Sequence, residues 1–130
     1  MILIFGGVYQ GKLEYALKRF NISHDNVKYC LDNDTTVPTG KHIIYEIDKW
    51  ILALVRANMN IAQHTVRFLA QNSNNAIIIC NDISCGVVPI DPALRKWREE
   101  VGRFMASTAQ HSNEVIRIFC GIPTILKGEM

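Results

Sequence analysis

The chain has 130 residues, of which 48% are hydrophobic and 20% charged, enough for one domain that buries roughly two-thirds of its unfolded surface. A net charge of +2 is too small to call for a polyanionic partner, so neither nucleic acid nor an anionic membrane surface is expected. Apolar runs such as Ile51 to Val55 and Ala76 to Cys80 fall far short of the roughly 20 residues that cross a bilayer, and Met1 leads straight into a strand-like run, so the expected location is the cytoplasm.

Ile2 to Phe5 is a continuous apolar run closed by Gly6 and Gly7, which predicts a strand buried on both faces. From Lys12 the period becomes helical, with Leu13, Ala16, Leu17 and Phe20 on one face. Val27 to Leu31 and His42 to Tyr45 read as short strands, separated by a polar loop from Asp32 to Lys41. Asp48 is an expected N-cap for one long amphipathic helix over Lys49 to Gln71. Ala76 to Cys80 is the clearest strand, followed by a loop from Asn81 to Pro89. Asp91-Pro92 then predicts a capped helix carrying Leu94, Trp97, Val101, Phe104 and Thr108, with outer charge pairs Arg95 to Glu99 and Glu99 to Arg103. Glu114 to Cys120 is a last strand, and Gly121-Ile122-Pro123 leads into a short tail.

Strands alternating with helices predict a three-layer α/β domain with a mostly parallel sheet, a single domain over 1–130. Ligands of such sheets bind beyond the carboxyl ends of the strands. That is where the glycine-rich stretch Gly6-Gly7-Val8-Tyr9-Gln10-Gly11-Lys12-Leu13 falls, and its spacing follows the phosphate-binding pattern GxxxxGK[ST] except at the last position. Glycines let successive backbone N–H groups converge on phosphate oxygens, and a helix N-terminus behind them adds partial positive charge. Lys12 is expected to reach the β- and γ-phosphates of GTP or ATP. Leu13 has no hydroxyl for Mg²⁺, which makes a bound metal a doubtful cofactor, and the residues name no metal site.

The sequence fixes no catalytic residue. An acid is expected at a strand end, and the candidates are Glu46 and Asp82, with Asp48 preferred as a helix cap. Cys30, Cys80, Cys85 and Cys120 include no CxxC pair, so buried free thiols are expected. His24, His42, His64 and His111 are scattered, and none stands at ligand or triad spacing to a partner. Trp50 and Trp97 lie in helical patterns and read as core or interface anchors.

The second half carries a longer signature. Asn81-Asp82-Ile83-Ser84-Cys85-Gly86-Val87-Val88-Pro89, then Leu94-Arg95, Trp97-Arg98, Gly102-Arg103, Glu114-Val115 and Gly121-Ile122-Pro123, resemble the bifunctional adenosylcobinamide kinase/adenosylcobinamide-phosphate guanylyltransferase family of cobalamin assembly. That family reads NEVGxGIVP, LxRxFRDxxGRxNQ and ADEVxxxxxGIP, after a GGxRSGKS loop. The resemblance implies a P-loop NTPase-like domain, often trimeric, that phosphorylates the aminopropanol hydroxyl of a corrinoid and then transfers GMP from GTP through a guanylylated histidine.

Departures from the family pattern fall on the chemistry. Leu13 stands for the loop serine, Val8-Tyr9-Gln10 for the small, Arg and Ser residues, and Asp82 and Ser84 for the Glu and Gly of NEVG. Asp32 to Lys41 lacks the HxxRR guanylylation motif, so no histidine nucleophile is carried over. The family's DCLTxW is here Tyr45-Glu46-Ile47-Asp48-Lys49-Trp50, which sets Tyr45 at the acid with Glu46 one place late. The expected function is therefore a divergent family member that binds a purine nucleotide, with residual phosphoryl transfer to a cobinamide-type substrate and with guanylyl transfer lost. The alternative is a non-catalytic nucleotide-binding or assembly module on the same fold, and the residues alone do not decide whether the chain is an enzyme.

Overall fold

A computed structural model describes residues 1–72, 75–83 and 90–128. The described elements run in the order β1 (Ile2–Gly6), α1 (Lys12–Arg19), β2 (Val27–Tyr29), β3 (Ile43–Tyr45), α2 (Ile47–Arg56), α3 (Ile61–Gln71), β4 (Ile77–Asn81), α4 (Pro92–His111), β5 (Glu114–Phe119) and β6 (Ile122–Lys127). The strands form one sheet in the order β2-β3-β4-β1-β5-β6. All neighbours are parallel except β5 and β6, so the mostly parallel α/β sheet of a P-loop NTPase-like domain is the fold observed.

Both faces of the central strands are covered, which is why they read as unbroken apolar runs. Leu3, Ile44, Ile78 and Val115 face a core built with Trp50, Ile51, Phe68, Val101 and Phe104 from α2, α3 and α4. Ile4, Ile43, Ile77, Ile79 and Ile116 face the opposite core, where Leu13 and Ala16 of α1 pack. Strand β1 lies in the middle, flanked by β4 and β5. Its last residue must be glycine: a Cβ on Gly6 would run into the backbone carbonyl oxygen of Ile118 on β5.

Three expectations are corrected. The single helix over Lys49 to Gln71 is two helices, because α2 ends in a Schellman turn. There Asn58 takes the left-handed conformation (φ 54°), its N–H donates to Val55 O, and Met59 N–H donates to Leu54 O. Asn60 then caps α3 by accepting a hydrogen bond from Gln63 N at 3.0 Å. The N-cap of α2 is Glu46 and not Asp48, which sits inside the first turn and turns its carboxylate toward β4.

The third correction concerns the short tail, which is strand β6. It is joined to β5 by a two-residue turn at Cys120 (φ 52°) and Gly121 (φ 75°). Two successive positive φ values match the right-handed twist of an antiparallel pair.

Smaller expectations fare unevenly. Asp91 caps α4 through Ala93 N at 2.8 Å with Pro92 in the first turn, as the sequence predicts. On its outer face Arg103 reaches Glu100 at 2.6 Å rather than Glu99. The loop 32–41 is pinned: Trp50 Nε1 donates to Thr35 O at 3.2 Å, Asn72 Nδ2 to Pro38 O at 3.0 Å, and Val37 packs on the core. Of the expected loop from Asn81 to Pro89, residues 84–89 lie outside the described part. No helix among the described residues is long and apolar enough to cross a membrane.

Candidate functional site

The carboxyl end of β1 runs into the glycine loop, and the loop into α1. Tyr9 (φ 61°) and Gly11 (φ 83°) are both left-handed, the kind of backbone alternation that turns N–H groups inward to form an anion-binding concavity. Tyr9 is almost wholly exposed at the tip. A bulky residue in this conformation is strained, and such strain persists where surrounding structure holds it. The hold comes from the β5–β6 turn: Gln10 accepts at Oε1 from Cys120 N (2.5 Å) and at its carbonyl from Gly121 N (2.9 Å).

Lys12 begins α1 and is only 4% exposed. Its Nζ donates to Gly7 O at 2.6 Å, so in this state it closes the loop on itself. Burial lowers its pKa, opposed by the fields of Asp48, Glu46 and Glu14. The loop and Lys12 form one wall of a cleft of about 490 Å³, whose other wall is Tyr45, Glu46, Lys49 and Asn81. A cavity of about 540 Å³ lies elsewhere, lined by Met1, Ile2, Phe20 and His42, and has no comparable loop.

The second wall is set by the ends of β3 and β4. Glu46 follows β3 in the left-handed region (φ 58°), which sends its side chain into the cleft. There Oε1 accepts from Lys49 Nζ at 3.1 Å and Oε2 from Asn81 Nδ2 at 3.2 Å. Two residues on, buried Asp48 grips the end of β4: Oδ1 accepts from Asn81 N at 3.0 Å and Oδ2 from Asn81 Nδ2 at 3.2 Å. The carbonyl of Asp48 accepts from Trp97 Nε1 at 2.7 Å, which ties α4 to the same junction.

Burial raises the Asp48 pKa above the ordinary carboxylate value, against the two hydrogen bonds from Asn81. The folded chain then keeps this proton in a range where the unfolded chain has released it. The stability it contributes is full below the ordinary value and is lost as pH rises through the raised one. Asp48→Asn is therefore expected to flatten the fall in melting temperature above about pH 4. Parallel pH profiles for the variant and the parent would show that this carboxyl does not titrate as described.

The proposed nucleotide-contact residues do not all face the cleft. Val8, Tyr9, Gln10, Gly11 and Lys12 line it. Gly6 is the strand end, its carbonyl accepting from Asp82 N at 2.7 Å, and Gly7 supplies the carbonyl that holds Lys12. Leu13, 8% exposed, packs into the core under α1. Of the two candidate acids, Glu46 lines the cleft, while Asp82 meets the loop through its backbone.

Sequence reasoning passed over Lys49 and the latch made by Gln10. Lys49 was legible as a cation three residues after Glu46 on a first helical turn. The Gln10 contact left no local signal.

None of the four histidines lines the cleft. His64 Nδ1 lies 2.7 Å from Asn60 O and its ring packs against Trp50; His111 Nδ1 lies 2.8 Å from Ser107 O. Trp50 is buried and Trp97 half-buried on the same core. Cys30 and Cys80 are buried free thiols, and burial pushes Cys30 up to about 12. Cys120 is exposed, against expectation, because it occupies the hairpin turn; Cys85 lies outside the described residues.

A metal beside such a loop is usually held by a hydroxyl after the lysine and an acid at a strand end. The residues here do not fit that arrangement. The Leu13 side chain offers no oxygen and packs into the core, and Glu46 is already engaged by the Lys49 ammonium and Asn81. No group of three or more His, Cys, Asp or Glu among the described residues is arranged to hold a metal ion.

A family model described as "Cobinamide kinase / cobinamide phosphate guanyltransferase" matches residues 39–126, more than half of the chain. The matched span runs from just before β3 to β6, so it contains Tyr45, Glu46, Lys49 and Asn81. The glycine loop precedes it.

Proposed function

The chain belongs to the cobinamide kinase/cobinamide phosphate guanyltransferase family of cobalamin biosynthesis, and from that premise we propose that it binds a purine nucleoside triphosphate, GTP or ATP, by its phosphates in the loop Gly6 to Leu13. The observation that carries this reading is Lys12, buried beneath a glycine loop at the carboxyl end of the central strand and at the N-terminus of α1. A phosphate entering the loop meets converging N–H groups and the positive end of the helix. Lys12 exchanges the Gly7 carbonyl for a phosphate oxygen, a stronger, charge-assisted hydrogen bond.

The acceptor in this reading is the hydroxyl of a cobinamide-type corrinoid, and phosphoryl transfer to it is residual. Glu46 is the candidate strand-end acid that lines the cleft, and its oxygens are engaged by Lys49 and Asn81. Guanylyl transfer is lost, because a covalent intermediate needs a nucleophile and no histidine reaches the cleft. Homo-oligomerisation, as a trimer by family resemblance, and a cytoplasmic setting complete the proposal. A second reading, a binding or assembly module without catalysis, is favoured by Leu13, whose side chain replaces the metal-binding hydroxyl with core packing.

Calorimetric titration with GTP and with ATP, with and without Mg²⁺, tests the binding. Saturable binding of at least one nucleotide below millimolar concentration is expected. If neither binds at millimolar concentration, the phosphate-loop reading is wrong.

A further inference from the structure

The cleft brings four charged side chains together: Lys12, Lys49, Glu14 and Glu46. Glu14 is exposed on the first turn of α1, where water screens it. Glu46 is held on both oxygens, by Lys49 at 3.1 Å and by Asn81 at 3.2 Å. Asp48, the neighbouring acid, is buried and takes its two hydrogen bonds from Asn81. A cation entering from the cleft would compete with the Lys49 ammonium for Glu46, and it would find no hydroxyl at Leu13. The positive charge that a polyphosphate requires is nevertheless present, because Lys49 reaches into the same cleft from the wall facing the loop.

We propose that Lys49 takes the electrostatic place of the metal, so that a polyphosphate is held without Mg²⁺ between Lys12 on the loop and Lys49 on the first turn of α2. Lys49 has three ammonium hydrogens: one stays on Glu46 Oε1 and fixes the direction of the side chain, while the others are free to meet phosphate oxygens. Glu46 is thus a positioning residue for Lys49. Its second oxygen is fixed by Asn81, so the end of β4 sets where the ammonium stands. Removal of Glu46 would leave a mobile lysine, and removal of Lys49 would leave an unpaired carboxylate facing the anion. The inference rests on the nucleotide reading above, and its test separates the two.

Tripolyphosphate and GTP would be titrated into the wild type, Lys49→Met, Lys49→Arg, Glu46→Gln and Lys12→Met, each in excess chelator and again with Mg²⁺. Lys49 is partly exposed, so its variants are expected to keep the wild-type melting temperature. The wild type is expected to bind both probes in chelator within about 3-fold of its affinity with Mg²⁺. Lys49→Met should weaken both by about 10-fold, equal to about 1.4 kcal/mol, and Lys49→Arg should recover most of the loss. Glu46→Gln should fall between, because the amide still accepts from Lys49.

Wild-type affinity for Lys49→Met beside a loss in Lys12→Met would overturn the role of Lys49 and leave the loop reading standing. A wild type that binds only with Mg²⁺ would overturn metal independence. No effect of either lysine substitution, or no binding by the wild type, would remove the nucleotide reading and this inference with it.

Discussion

Lys12→Ala is expected to lower affinity for GTP and ATP by at least about 100-fold, on the order of 3 kcal/mol. The lysine is buried under the loop with its ammonium on Gly7 O at 2.6 Å, so it is already ordered where a phosphate oxygen would arrive. Removing one partner of a desolvated, hydrogen-bonded charge pair costs roughly 2–5 kcal/mol, more than a solvent-screened contact. Loss of the ammonium also removes the cation that opposes the negative fields of Asp48 and Glu46 on the loop side of the cleft. The effect should appear in Kd measured by calorimetry, with a comparable loss for pyrophosphate and none for a nucleoside without phosphates. Equal loss of nucleoside binding would place the lysine against the base, and unchanged affinity would take the loop out of the account.

Trp50→Ala is expected to destabilise the fold by about 3–5 kcal/mol, the usual cost of removing a buried aromatic side chain. Trp50 is 1% exposed, its ring lies 5.6 Å from Phe68 and 6.4 Å from Phe104 between centroids, and its Nε1 holds the loop 32–41 through Thr35 O. The cavity would open beneath the first turn of α2, the turn that carries Glu46, Asp48 and Lys49 toward the cleft. Trp50→Phe should cost less, because it keeps the ring stack and loses the hydrogen bond and part of the volume. Chemical denaturation followed by far-ultraviolet dichroism measures both. A loss under about 1 kcal/mol for the alanine variant would mean that this tryptophan is not the core anchor described here.

The parts of the fold that sequence makes plain are those governed by neighbours along the chain. Ile2 to Phe5 and Ala76 to Cys80 are strands because both faces are covered, and the proline and cap at Asp91-Pro92 start α4 as expected. The division of the long helix was also written locally, in Asn58 as a left-handed C-terminal residue and Asn60 as an N-cap. Apolar periodicity running across that break concealed both signals. Asp48 is a different case. Its type and position suit a cap, but its partner is Asn81, 33 residues away, and no local rule reaches that far. The glycine loop was legible from spacing, whereas Lys49 depended on knowing that the ends of β1 and β3 face a common cleft.

The latch between Gln10 and the Cys120–Gly121 turn gives the phosphate loop a dependence that its position near the start of the chain hides. The contact spans 110 residues, so the loop acquires its support only when the antiparallel hairpin β5–β6 has formed and docked. Opening of that hairpin would release both hydrogen bonds that hold Gln10, so the two openings are coupled. By linkage, an anion that favours the ordered loop must favour the closed hairpin to the extent of that coupling. Occupancy at one edge of β1 is thereby transmitted to the far margin of the sheet, and amide exchange at Cys120 and Gly121 is the natural place to read it.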